Sequence, residues 1–97
     1  MQQTTEVRDA PDLNRYEIRA DGELAGFAAY RLDGDRIVMT HTEIDPAFEG
    51  RGLGSALARS ALDDARARGR TVEARCPFIA SWIRKHQEYV DLLAPRG

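Results

Sequence analysis

The chain has 97 residues, of which 42% are hydrophobic and 31% charged, with a formal net charge of −2. That length supports one domain around one core, and the charge balance is not the footprint of a general nucleic-acid binder. No apolar run reaches membrane-spanning length and the front lacks the basic-then-apolar order of a signal peptide, so a cytoplasmic protein with no membrane partner is expected. The single cysteine excludes an internal disulfide and a multi-cysteine zinc site, and no metal site is expected.

Residues 1–14 are polar and include Pro11, which predicts a flexible N-terminal arm ahead of a domain at 15–93. From Arg15 to Ala20 the alternation of Tyr16 and Ile18 with Glu17 and Arg19 is that of a half-buried strand. Asp21-Gly22 is a tight hairpin turn into a second strand, Glu23 to about Leu32, whose interior Ala25 to Tyr30 is apolar on both faces and therefore reads as mid-sheet, covered from both sides. Asp33-Gly34-Asp35 turns the chain again into a third strand, Arg36 to Ile44, completing an antiparallel meander.

Strict alternation along that third strand puts Ile37, Met39, His41 and Glu43 on one face and Val38, Thr40, Thr42 and Ile44 on the other. His41 and Glu43 then project together. An imidazole beside a carboxylate suits a general base with its orienting acid, and it equally describes a solvated ion pair at a strand end.

Asp45-Pro46 breaks the strand. Phe48 to Ser55 follows, with Gly50, Gly52 and Gly54 at the start of an Ala-rich helical run from Arg51 to about Arg68. Glycine permits positive φ and close approach of a ligand, and the first amides of a helix are unpaired at its positive end. The stretch is thus a cradle for phosphate oxygens with Arg51 as a clamp, or a close-packed turn. It is not a dinucleotide fingerprint, because Gly54 comes only two residues after Gly52, and it is not a Walker loop, because no lysine precedes Ser55. Leu53, Leu57 and Ala61 with Ala58, Leu62 and Ala65 form the helix's apolar stripe, and Gly69 is its stop.

Arg70 to Cys76 returns as a fourth strand, which makes a right-handed parallel pair with the third and brings the glycine loop and Cys76 to a shared rim. Pro77 opens a second helix running to Lys85. A thiol at its N-cap meets the positive end of the dipole, which favours the nucleophilic thiolate, although an unpaired cysteine at a strand end also reads as a small buried hydrophobe. Gln87 to Leu93, containing Tyr89, is a short apolar closing segment.

The glycine junction resembles the pyrophosphate loop of the GCN5-related N-acetyltransferases, Gln/Arg-x-x-Gly-x-Gly/Ala. Gly52-Leu53-Gly54 matches its core, while Glu49 stands where the family has Gln or Arg. His41-Thr42-Glu43-Ile44 and Cys76-Pro77-Phe78-Ile79 stand where the small, minimal branch of the family carries a His-Thr-Glu-hydrophobic strand and a Cys-Pro-hydrophobic segment. The resemblance implies an α+β fold: a mostly antiparallel sheet with one parallel βαβ pair and two main helices. It implies acetyl-coenzyme A as co-substrate, held by Ile44, Gly50, Arg51, Gly52, Leu53, Gly54 and Ser55, and an amine-bearing small molecule or protein as acetyl acceptor. Cys76, His41 and Glu43 are the catalytic candidates. In one route Cys76 takes the acetyl group first; in the other the amine attacks directly and His41 or Glu43 removes its proton. Tyr89 takes the place of a general-acid tyrosine of larger relatives, or packs in the core. A non-catalytic acyl-coenzyme A binding or sensing domain, or a partner-binding module on the same scaffold, is the competing reading.

Overall fold

The computed structural model describes residues 4–94. One five-stranded sheet runs in the order β1 (Thr5–Ala10), β2 (Arg15–Ala20), β3 (Glu23–Asp33), β4 (Arg36–Ile44) and β5 (Thr71–Ala74). Helix α1 (Leu53–Ala67) connects β4 to β5, α2 (Pro77–Lys85) follows β5, and a 3-10 segment, Gln87–Leu92, closes the chain. Neighbouring strands pair antiparallel except β4 and β5, which are parallel. The α+β sheet with one parallel βαβ pair is therefore present.

Part of the expected flexible arm is instead an edge strand. Residues 1–3 lie outside the described residues, but Thr5 to Ala10 pair with the whole of β2. The segment reads as polar because only one of its faces is covered: Val7 stands opposite the buried Ile18, and Asp9 on that same face accepts a hydrogen bond from the Tyr30 hydroxyl at 2.5 Å. A short 3-10 turn, Pro11–Leu13, then leads into β2. Asp21 and Gly22 both adopt positive φ, 51° and 86°, the geometry whose twist matches a two-residue hairpin.

Cross-strand partners share a face. The rows Tyr16–Ala28–Thr42 and Ile18–Gly26–Ile44 thus lie on one side of the sheet, and Arg15–Ala29–His41 and Glu17–Phe27–Glu43 on the other. A register shift between Ala29 and Tyr30 pairs Tyr30 with Met39 but Ala29 with His41, leaving Thr40 as the extra residue. This bulge overturns the strict alternation expected for β4. Ile37 and Met39 are buried against the helices, whereas His41 and Glu43, one bulge later, are exposed on the opposite face.

Leu53, Leu57, Ala58, Ala61, Leu62 and Ala65 bury the apolar stripe of α1 on Tyr16, Ile18, Ala28, Ile37 and Met39. Helix α2 and the closing segment lie alongside α1 and share that core through Ile79, Trp82, Ile83, Tyr89 and Leu92. Central β3 is therefore covered by helices on one face only, not both. On its outer face Phe27 and Ala29 remain half-buried, with the Arg15 guanidinium 4.8 Å from the Phe27 ring centroid. Gly26 marks the closest approach of two strands: a Cβ there would fall 2.5 Å from the Glu43 carbonyl oxygen and 2.6 Å from the Ile44 side chain. No helix among the described residues is long and apolar enough to cross a membrane.

Candidate active site

The site begins where the parallel ladder ends. The Met39 carbonyl accepts both the Arg75 N–H at 3.0 Å and the Cys76 N–H at 2.9 Å. The chain therefore turns away into α2 after Ala74, and β5 is shorter than the expected Arg70–Cys76. Strand β4 continues from Thr40 to Ile44 with β3 on one side and no β5 on the other. The Asp45 N–H donates to the Ala25 carbonyl at 2.8 Å, which sets the phase of the antiparallel ladder. By alternation, His41 and Glu43 bond to β3 while Thr42 and Ile44 direct their N–H and C=O groups into the gap.

Glycines form the upper end of that gap. The Asp45 carboxylate accepts the Ala47 N–H at 2.9 Å, holding the 3-10 turn Pro46–Phe48 that turns the chain out of the sheet. Gly50 and Gly52 follow with φ of 81° and 74°, and a Cβ at either would meet nothing within 4 Å. Because Gly52 is left-handed, α1 starts at Leu53 and not at the expected Arg51; its first turn has no side-chain cap. The backbone of the loop is thus open to an anion, with the positive end of α1 behind it. The Arg51 guanidinium lies 5.3 Å from the centroid of the Phe48 ring. Gly54 differs from the other two glycines. It is packed, and a Cβ there would lie 3.0 Å from the Phe78 ring of α2.

Cys76 is the N-cap of α2 and closes the far side of the gap. It is 3% exposed, and its thiol donates to the Thr42 hydroxyl at 3.4 Å. Nothing in the local spacing singles out Thr42 as a site residue, although its alternation with His41 turns it towards the covered face. The sequence-derived trio is consequently split: His41 and Glu43 remain together on the outer face, and Cys76 sits with Thr42 on the inner one. The His41 and Phe27 ring centroids are 6.0 Å apart. Beside them lies a depression of about 660 Å³ whose walls include His41, Thr42, Glu43, Ile44, Asp45 and Glu49. Tyr89 lies elsewhere. Its hydroxyl donates to Asp63 at 2.7 Å and accepts from Arg59 at 3.2 Å, and the Asp63 bond, with burial, raises its pKa. It ties the closing segment to α1.

A one-sided strand edge running into a glycine loop and an uncapped helix start, within a parallel strand–helix–strand unit, defines an α+β domain with a candidate cleft at the end of its parallel pair. The family model of the GCN5-related N-acetyltransferases matches residues 15–92, and the chain belongs to that family. A streptothricin acetyltransferase of Streptomyces lavendulae is 41% identical over 66 residues, which are 66% of this chain and 35% of that protein. The human protein NATD1 is 32% identical over 69 residues, 68% of this chain and 61% of its own length. The chain thus spans about a third to three-fifths of these relatives. A GCN5-like protein of Staphylococcus aureus superimposes with a TM-score of 0.71 at 22% identity, covering 95% of this chain and 90% of that one. The N-acetylglutamate synthase of Neisseria gonorrhoeae, solved with coenzyme A and N-acetyl-glutamate, gives a TM-score of 0.60 at 22% identity, covering 81% of this chain and 20% of the synthase.

Proposed function

We propose that this domain binds acetyl-coenzyme A in the gap between β4 and α2 and transfers its acetyl group to an amine. The observation that carries the reading is the open edge of β4 at Thr42 and Ile44, which points at the gap and leads directly to the exposed loop backbone at Gly50 and Gly52. An extended chain of amides can pair with such an edge as an added strand does. A pyrophosphate at its end meets the amides from Gly52 to Ser55 and the Arg51 guanidinium. Family membership and the coenzyme in the gonococcal synthase support the same choice of ligand.

Bound acetyl-coenzyme A supplies a thioester carbonyl open to attack by a neutral amine. Glu43 or His41, exposed at the depression on the outer face, takes one proton from the arriving ammonium to give that amine. As its nitrogen bonds to the acetyl carbon the carbon–sulfur bond breaks, and the second proton that the nitrogen sheds goes to the departing coenzyme A sulfur, which leaves as the thiol. Among the described residues, Glu43, Asp45 and Glu49 line that depression and no lysine or arginine does, which suits an acceptor that arrives as an ammonium ion. Direct attack is the route we favour, because the Cys76 sulfur is buried and engaged with Thr42. In this scheme Cys76 and Thr42 form the inner wall that keeps water from the thioester.

Native mass spectrometry with acetyl-coenzyme A, followed by peptide mapping of the same sample and an amine panel, tests the scheme. The expected result is one bound coenzyme, no acetyl group on Cys76 and transfer to a cationic amine. Cys76→Ala should retain most of that activity, whereas Glu43→Gln or His41→Ala should lower kcat by about 100-fold or more. Acetyl-Cys76 together with an inactive Cys76→Ala would establish the covalent route instead. Bound coenzyme without transfer to any amine would favour a sensing domain, and no bound coenzyme would refute the reading altogether.

A further inference from the structure

Trp82 is the sixth residue of α2, and its indole N–H donates to the Ser55 hydroxyl oxygen at 2.8 Å. The indole nitrogen is a donor only, so in this bond Ser55 is necessarily the acceptor. Its own hydroxyl proton is left to point elsewhere. Ser55 is an exposed residue in the first turn of α1, just beyond Gly52 and beside the loop amides.

The indole is held firmly. His86 stacks on it with ring centroids 3.7 Å apart and planes 12° from parallel. The His86 Nδ1–H donates to the Trp82 carbonyl at 2.7 Å, which keeps that ring in place. Tyr89 packs against the indole at 5.2 Å, and the Arg59 guanidinium sits 5.2 Å from its ring centroid. One turn earlier on α2, the Phe78 ring meets Gly54 closely enough that a Cβ there would be 3.0 Å away. Helix α2 therefore braces the first turn of α1 at two successive residues.

We infer that Trp82 is a positioning residue for the anion cradle: by donating to Ser55 it fixes the polarity of that hydroxyl, so that Ser55 presents its proton to a phosphate oxygen alongside the backbone amides. The aromatic group formed by Trp82, His86 and Tyr89, which looks like core packing alone, thereby sets the direction of one hydrogen bond to the ligand. The inference rests on the reading that a coenzyme pyrophosphate sits at Gly50 to Ser55.

The test uses calorimetric affinity for acetyl-coenzyme A in the intact chain, Trp82→Phe, Ser55→Ala and the double variant, together with the indole N–H resonance of the single tryptophan. Each single variant should bind about tenfold more weakly, and the double variant no more weakly than Ser55→Ala, because the indole acts through Ser55. In the intact protein the indole resonance should shift when acetyl-coenzyme A binds and stay in place with S-acetylpantetheine, which has no phosphate. Packing alone would leave the Ser55→Ala affinity unchanged, make the losses multiply in the double variant, or leave the resonance unmoved by acetyl-coenzyme A; any of these overturns the inference. If Trp82→Phe does not fold, Ser55→Ala and the resonance still decide the matter. Failure of the intact chain to bind acetyl-coenzyme A would remove the coenzyme reading and this inference together, whereas binding that is indifferent to Ser55 and Trp82 removes this inference alone.

Discussion

Three glycines in this chain do three different things, and substitution should separate them. At Gly26 the constraint is space, since an added Cβ would press on the backbone of β4 at the Glu43 carbonyl. Backbone cannot swing aside as a side chain can, so Gly26→Ala should cost about 2 kcal/mol and lower Tm by roughly 10 °C in a domain of this size. At Gly52 the constraint is φ, at 74°, with open space around it. Gly52→Ala should cost about 1–2 kcal/mol through strain, and Gly52→Asn less, because asparagine enters the left-handed region more readily. The order reverses at Gly26, where asparagine brings more bulk than alanine. Gly54 is limited by the Phe78 ring, the end of a side chain that can tilt, so Gly54→Ala should be the mildest of the three for stability. Urea denaturation of the set checks the ranking; equal costs for alanine and asparagine at Gly52 would mean that φ is not what fixes that residue.

Among the elements, β4 carries the most information, and its bulge is the part that sequence did not disclose. The hairpin at Asp21-Gly22, the apolar stripe of α1 and the proline-opened α2 were legible because each is written in local spacing or in residues with one conformational preference. A bulge is a property of two strands. Nothing in Arg36 to Ile44 alone says that Thr40 goes unpaired, so alternation carried His41 and Glu43 onto the face of Met39. Edge strand β1 was missed for a related reason, as Asp9 counts as inward-facing only once Tyr30 is seen to bond it. In the candidate site, the glycine loop and Cys76 were legible as motifs, but the Thr42 partner of Cys76 needed the pairing of β4 with β3. Deleting Thr40 tests the bulge. Restored alternation would drive His41 and Glu43 against α1, or else displace Ile37 and Met39 outwards, and burial of an unpaired charge should cost about 3–5 kcal/mol. Thr40→Ala is the control: the side chain is exposed and donates a long bond to the Ala29 carbonyl at 3.3 Å, so stability should change by less than about 1 kcal/mol.

Across the whole molecule, one polar network, joined through Arg68 and Asp9 4.0 Å apart, ties three strands to α1 and should contribute to both limbs of the pH–stability curve. Tyr16 donates to Asp64 at 2.5 Å, Arg68 donates to the same carboxylate at 2.9 Å, and Tyr30 donates to Asp9. Burial works against the Asp64 charge, yet the bonds from Tyr16 and Arg68 prevail and hold its pKa below the ordinary 3.8. Its contribution is therefore complete above about pH 4 and is lost as pH falls through the depressed folded value. The tyrosines act at the other end. Burial, then the bond to Asp9, raises Tyr30 from 10.0 to about 12, and burial with the Asp64 bond raises Tyr16 further. A folded pKa above the unfolded one favours the folded state while the phenol stays protonated, so this stabilisation is complete below pH 10 and is lost as pH rises towards 12. Tm should accordingly hold a plateau at neutral pH and fall on both sides. Tyr30→Phe removes one of the three phenols that resist ionisation, and should lower the plateau slightly while making the alkaline fall shallower, leaving the acid limb in place. Arg68→Ala lets the Asp64 pKa rise towards its unfolded value and should flatten the acid limb instead. If both variants moved both limbs alike, the network would be acting through packing, and the opposite ends of the curve would not be tied to these two ionisations.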